Sequence, residues 1–298
     1  MIEKLAYGIL NYFRSLPREK ALKRGEQIGK FLWFIRYRRK VIFTNLNIAF
    51  PEKDIEWKTD IAKKSTIHLG RIIAEFPKLP DYYQSGEIGN IFKIIKGKEL
   101  LDKYKEEGFL FTSAHLGNWE LLLSGLAHNL GEIYALAYRQ ESELAYKITK
   151  EIRTGYGINI IHHNESLKKV VKIINNHKPI GFFVDQNTRR RRGVFVDFFG
   201  KPAVTVDFAA RLAVKFKKPI LFIYCYMDYK DKNYYCEVEE VKWEEGKTVA
   251  ETELNIVQAY TKKVEEAVRK HPDQYLWVHK RWRTRPTEDE PSPYGDLP

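Results

Sequence analysis

Along the first forty residues the apolar positions recur at three- and four-residue steps. Ile2, Leu5, Ala6, Ile9, Leu10 and Phe13 form one such series, and Pro17 punctuates its end, which predicts an amphipathic helix. Ile28, Phe31, Leu32 and Ile35 predict a second helix, with Trp33 and Phe34 widening its apolar face. Arg36, Arg38, Arg39 and Lys40 follow at once. A further helix is expected over residues 55–76, ending before Pro77, and then a loop around Pro80, Tyr82 and Tyr83.

The period then changes to short apolar runs alternating with helix-period segments. Strands are expected at 109–114, 133–138, 159–162 and 180–184, separated by helices at 118–129, 141–155 and 165–176. A helix at 205–217 leads into a strand at 220–227, which pairs with 234–241 as a hairpin around Asp231; a helix at 250–270 follows. The alternation predicts an α/β fold with a mixed, largely parallel sheet flanked by helices and an antiparallel edge. Three segments result: helices over 1–44, an α/β domain over 45–285, and a loose tail over 286–298, rich in Pro and acids.

Composition sharpens this picture in three ways. A chain of 298 residues with 44% hydrophobic and 14% aromatic positions has material for a substantial core, which argues against disorder. Cys225 and Cys236 make neither a disulfide framework nor a zinc knuckle, so both are expected as reduced core residues. The net charge of +12 is concentrated: residues 1–40 hold 11 Lys and Arg against 3 Asp and Glu. Arg189, Arg190, Arg191 and Arg192 form a second basic block, and Lys280, Arg281, Arg283 and Arg285 a third. Such blocks either attract phosphates, on lipid headgroups, nucleic acid or an acidic carrier, or are simply solvated. No secretory signal and no apolar run of spanning length is present. Apolar stripes flanked by basic residues and aromatics suit helices lying in a membrane interface, the alternative being that they pack on the protein's own core.

Candidate chemistry is concentrated in the segment from Phe109 to Glu120, where a buried strand runs through a polar turn into a helix starting near Gly117 or Asn118. His115 thus lies at the carboxyl end of a strand, where open α/β sheets place ligands. On one continuous helix, His115 and Glu120 would diverge by roughly 140°; they converge only if His115 precedes the helix and Glu120 is in its first turn. In that arrangement Glu120 accepts a hydrogen bond from one imidazole nitrogen and the other serves as a base. Helix-terminal amides would favour a developing oxyanion. The bland alternative makes His115 a helix cap and Glu120 a surface acid.

The block His115-Leu-Gly-Asn-Trp-Glu120 resembles the His-x4-Glu block of the bacterial lipid A late acyltransferases, the lauroyl/myristoyl transferase family. Asn45 to Pro51, Tyr138-Arg139, Asp185-Gln186, Phe198 to Pro202 and Tyr275 to Trp282 are similar to further blocks of that family, in the same order. Gln140 and Glu141 replace the Pro common after Tyr-Arg, and the amino terminus lacks a clean spanning helix. The resemblance implies a fold like the glycerol-phosphate acyltransferases. It also implies transfer of an acyl chain from acyl carrier protein or coenzyme A to a hydroxyl of a lipid A precursor or related lipid-linked sugar. His115 would be the base and Glu120 its partner, at the cytoplasmic face of the inner membrane among membrane lipids. Transfer from a thioester needs neither metal nor redox cofactor, so none is expected.

Around that pair, Asn118, Arg139, Asp185, Gln186 and Arg189 to Arg192 are the candidate substrate-binding residues. Arg139 would hold a phosphate or polarise the acceptor, unless it is a surface ion pair. Asp185 would orient Arg139 or the acceptor, or else cap a turn. The arginine run would dock an acidic carrier or acceptor phosphates. His162 and His163 have no acid cluster to suggest a metal, and His279 reads as structural. Acylation of a lysophospholipid or glycosylated phosphoinositide is the alternative within the same chemistry. A basic nucleic-acid-binding protein would share the charge but not the histidine block, and no nucleic-acid partner is expected.

Overall fold

The computed structural model describes residues 2–137, 142–162, 167–287 and 289–295. Among the described residues six α-helices precede the first strand: α1 Ile2–Ser15, α2 Arg18–Phe34, α3 Arg39–Ala49, α4 Ile55–Glu75, α5 Leu79–Ser85 and α6 Ile88–Ile91. The alternating region then runs β1 Phe92–Lys96, α7 Lys98–Tyr104, β2 Leu110–Ser113, α8 Trp119–Leu130 and β3 Ile133–Ala137. It continues through α9 Glu143–Gly155, β4 Ile158–His162, α10 Leu167–Asn175 and β5 Ile180–Phe183. A small hairpin of β6 Gly193–Phe198 and β7 Lys201–Val206 leads to α11 Phe208–Phe216. The chain closes with β8 Ile220–Met227, β9 Tyr234–Glu240 and α12 Val249–Lys270.

The main sheet has the order β1-β9-β8-β2-β5-β3-β4, parallel except where β8 meets β9. This is the expected mixed, largely parallel α/β architecture. Its central strands are buried on both faces, which explains their unbroken apolar runs. Along β8, Ile220, Phe222 and Tyr224 enter one core, while Leu221, Ile223, Cys225 and Met227 enter the other. The hairpin of β8 and β9 sets Cys225 opposite Cys236, both buried as free thiols.

Elements the periodicity leaves unassigned bear on the boundaries. The expected division at residues 44 and 45 falls inside α3, whose buried stripe is Val41, Ile42, Asn45, Leu46 and Ala49. The expected loop at Tyr82 and Tyr83 is instead the helix α5. Within the stretch expected to be loose, Tyr294 is buried, accepts the Trp282 amide at 3.0 Å and donates to Asn45 Oδ1 at 2.6 Å. Arg281, grouped by sequence with a surface basic block, is 2% exposed, its guanidinium held by Val204 O and Thr205 Oγ1 at 2.5 Å each.

The first two helices behave differently. In α1 the apolar series divides: Phe13 is buried, whereas Ile2, Leu5 and Ile9 are 75%, 65% and 50% exposed. At the far end of α2, Phe31, Phe34 and Ile35 are exposed too. Among the described residues no helix is long and apolar enough to cross a membrane. The rest of α2 lies against α4 at backbone contact: a Cβ on Gly25 would come within 2.6 Å of Gly70 O, and one on Gly29 within 2.4 Å of the Ile67 Cα. No side chain can retreat from such a clash, so the helices must separate.

Gly29→Ala and Gly70→Ala should therefore each destabilise the fold by about 1–3 kcal/mol. Gly8 on exposed α1 is surrounded by open space, with nothing within 4 Å of where a Cβ would stand. Gly8→Ala should be neutral or gain about 0.5–1 kcal/mol in helix stability. Thermal melting of the three variants checks this, and equal melting temperatures would contradict the close-approach account.

Candidate active site

The site is built where β2 and β5 end. These strands are parallel neighbours, with Ser113 opposite Phe183. His115 lies two residues beyond Ser113 and Asp185 two beyond Phe183, so the register delivers them side by side. His115 Nδ1 is 2.8 Å from Asp185 Oδ1, and the His115 amide donates to Asp185 Oδ2 at 3.0 Å. Both carboxylate oxygens thus bind one residue, fixing its backbone and its ring together. Burial works to raise the Asp185 carboxyl, but charge on His115 and the two hydrogen bonds from it prevail and hold it below its ordinary value. The ring packs edge-on against Trp119 at 4.9 Å and beside Phe183 at 5.0 Å between centroids. On its other side, Gln186 Nε2 lies 3.3 Å from His115 Nε2.

The turn after β2 is tied down residue by residue. Leu116 N–H donates to Ala114 O at 2.8 Å, and the Leu276 amide donates to His115 O at 3.0 Å. Gly117 N–H donates to Gln274 O at 3.1 Å. Gly117 has φ +59°, and a Cβ there would fall 2.0 Å from Cys225 O, so both conformation and space require glycine. Asn118 caps α8, its Oδ1 accepting the Leu121 amide at 3.1 Å. Asn118 is fully buried and spent on the turn, so it does not line the cavity expected for a substrate contact. The amides of Leu116, Gly117 and Leu121 are thus engaged in the turn and its cap.

Glu120 corrects the expected pairing. It sits in the first turn of α8 and is 6% exposed, but its carboxylate meets Arg153 rather than His115. Arg153 Nε and Nη2 donate to Oε2 and Oε1 at 3.0 and 2.5 Å, and Tyr156 OH donates to Oε2 at 2.6 Å. Burial opposes the charge on Glu120, yet the Arg153 guanidinium and these hydrogen bonds hold its carboxyl below the ordinary range. The imidazole's partner is therefore Asp185, which the sequence alone assigns to Arg139, to the acceptor or to a turn. Arg153 is absent from the sequence-derived candidates; nothing in its local sequence marks it, because its partner lies 33 residues away on another helix.

A cavity of about 420 Å³ opens here, lined by His115, Leu136, Arg153, Phe183, Gln186 and Arg192 among others. Arg189 also reaches its wall, whereas Arg190 and Arg191 are exposed outside it. Arg139 and His163 lie outside the described residues, and His162 Nε2 pairs with Tyr146 OH at 3.1 Å. The carboxy-terminal block braces the loop after β5: the Asn187 amide donates to His279 Nε2 at 2.9 Å, and the Thr284 amide to Asn187 Oδ1 at 2.9 Å. Burial lowers His279 to about 4, which keeps that nitrogen an acceptor. Asn45 donates from Nδ2 to the carbonyls of Trp277 and His279, both at 2.7 Å, so the amino-terminal block clamps the same segment.

Sequence comparison bears on the family. A family model described as bacterial lipid A biosynthesis acyltransferase matches residues 1–284. The chain is 23% identical over 293 residues to lipid A biosynthesis acyltransferase 2 of Shigella flexneri, covering 96% of this chain and 90% of that protein. It is 22% identical over 290 residues to the lipid A biosynthesis palmitoleoyltransferase of Escherichia coli, covering 94% and 90%. Over 187 residues it is 23% identical to a phosphatidylinositol mannoside acyltransferase of Mycolicibacterium smegmatis, covering 61% and 60%. The chain belongs to the bacterial lipid A biosynthesis acyltransferase family and is an O-acyltransferase.

Proposed function

We propose that this enzyme transfers a fatty acyl chain from a thioester of acyl carrier protein or coenzyme A to a hydroxyl of a lipid A precursor or related glycolipid, with His115 as general base. The observation that carries the reading is the His115–Asp185 pair, with His115 on the wall of a half-open cavity of about 420 Å³. With Nδ1–H donated to the Asp185 carboxylate, Nε2 keeps its lone pair toward the cavity and Gln186. The acceptor hydroxyl takes the position beside Nε2, gives up its proton there, and its oxygen attacks the thioester carbonyl carbon. The carbon–sulfur bond then breaks, and the departing thiolate takes the proton back from the imidazolium. Asp185 stabilises that imidazolium by charge and by orientation.

Glu120 acts in this reading through Arg153. The two-pronged ion pair holds the guanidinium as a wall of the cavity, where it supports the oxyanion or an acceptor phosphate. Arg189 and Arg192 add positive charge at the rim, Arg190 and Arg191 further out, and Arg139 is proposed to act beside them on the acceptor. A mannosylated phosphoinositide is the second reading of the acceptor, favoured by the mycobacterial relative. The exposed Ile2, Leu5 and Ile9, with Phe31 and Phe34, supply the apolar contact for a peripheral or monotopic enzyme on the cytoplasmic face of the inner membrane. A likeness to the glycerol-phosphate acyltransferases is the fold that this site arrangement would fit.

Three outcomes are expected. His115→Ala and Asp185→Asn should each lower turnover of a lauroyl thioester with a lipid A precursor about 10²–10⁴-fold. Glu120→Gln should cost activity and also about 3–5 kcal/mol of stability, because it leaves Arg153 without its buried counter-charge. Steady-state kinetics with parallel melting curves separate these classes; near-parental turnover by His115→Ala would sink the base assignment. Next, alanine at all of 189–192 should raise KM for the acyl carrier protein donor and flatten its salt dependence, with kcat little changed. Unchanged kinetics at low salt would return the run to solvated surface. Last, serine at 2, 5 and 9 together should weaken flotation with anionic vesicles without lowering the melting temperature, whereas equal flotation would rule out α1 as the contact.

A further inference from the structure

Glu75 ends α4, is fully buried, and does not line the cavity. Its carboxylate nevertheless receives three donors from three distant parts of the chain. Arg18 Nε, in the first turn of α2, donates to Oε1 at 2.8 Å. Tyr234 OH, at the start of β9, donates to Oε2 at 2.7 Å, and Asn118 Nδ2 donates to the same oxygen at 3.3 Å. Arg18 is itself anchored by Lys232 O at 2.5 Å.

The contact with Asn118 is the informative one. A primary amide presents donors on one side and an acceptor on the other, and an ionised carboxylate can only accept. Glu75 therefore dictates which way the amide faces: nitrogen toward α4, oxygen toward the Leu121 amide that it caps. Asn118 follows His115 by three residues, across a Gly117 that has no room for any other side chain. Its backbone carbonyl also accepts the Leu122 amide at 2.9 Å and the Cys225 thiol at 3.4 Å. Turning that amide over would break the cap of α8 and loosen the turn from which the imidazole reaches Asp185.

We infer that Glu75, held in place by Arg18, is a positioning residue for acyl transfer, fixing the catalytic turn through the side-chain amide of Asn118. This rests on His115 as the base. It also joins α2 to the catalytic turn through a single buried carboxylate, so the amino-terminal helices take part in shaping the site.

The pair can be tested by reversing it. Asn118→Asp keeps a capping oxygen but sets two buried carboxylates against each other. Adding Glu75→Gln restores one carboxylate and one guanidinium to the cluster, with donor and acceptor exchanged. With lauroyl-acyl carrier protein and a lipid A precursor, Asn118→Asp should lower kcat about 10-fold or more, with KM changed less than about 3-fold. The double variant should recover to within about 3-fold of the parental kcat. A double variant no faster than Asn118→Asp would overturn the inference. If Asn118→Asp does not fold, the Nδ1–H proton resonance of His115 in Glu75→Gln decides instead: displaced if Glu75 positions the turn, unchanged if it serves the core alone. That resonance needs no substrate, so a parent protein without turnover would count against acyl transfer and leave the assignment of Glu75 to be judged on the resonance.

Discussion

Ser113 of β2 stands opposite Phe183 of β5, and because the strands run parallel the chain leaves both at the same level. Each strand then continues two residues in step, to His115 and to Asp185. The His115–Asp185 pair is thus a product of strand register: a slip of one residue would turn one of the two side chains to the opposite face. β2 and β5 lie at the middle of the sheet with side chains packed on both faces, which makes such a slip prohibitively costly. The rest of the site is arranged to keep this juxtaposition. The turn after β2 leans on Gln274 to Leu276, and the loop after β5 leans on His279 and Thr284. Asn45 and Tyr294 in turn hold that carboxy-terminal segment against the first third of the chain.

Three buried carboxylates surround the turn, and each has a separate partner. Asp185 serves the imidazole, Glu120 serves Arg153, and Glu75 serves Arg18 and the Asn118 amide. Burying an anion costs several kcal/mol unless charge and hydrogen bonds offset it, so none of these groups is a neutral packing choice. The division has a functional consequence. An acid near a histidine in sequence need not be its partner; here Glu120 fixes a cation that lines the cavity, while the acid bound to the imidazole arrives from the neighbouring strand.

Much of the fold is legible because periodicity reports burial. The strands of the main sheet from 109 onward and the helices α4, α8, α9, α10, α11 and α12 fall within a few residues of where the apolar pattern puts them, whereas α2 begins at Arg18, well before the stripe that starts at Ile28. What escapes has identifiable causes. β1 is an edge strand carrying Lys93 and Lys96, too polar to read as buried. The turn of the β6–β7 hairpin uses Phe199 and Gly200 at φ +57° and +73°, and a phenylalanine in that region gives no turn signal. α3 hides its stripe because Asn45, a polar residue, occupies a core position. His115 is legible from its strand–turn–helix setting. Its partner is not, because Asp185 is 70 residues away and local spacing offers Glu120 first. Arg153 and Glu75 are invisible for the same reason: helix-to-turn and helix-to-helix contacts leave no mark in the order of residues.

The central claim is that Asp185, and not Glu120, sets the state of the His115 imidazole, the proposed base. The ring-nitrogen chemical shifts of His115 in protein labelled with ¹⁵N-histidine test it at a pH where the ring is neutral. The account requires the tautomer with hydrogen on Nδ1 and a bare Nε2 in the parent and in Glu120→Gln, and loss of that preference in Asp185→Asn. A parent ring protonated on Nε2, or a tautomer that survives Asp185→Asn and collapses in Glu120→Gln, would contradict it.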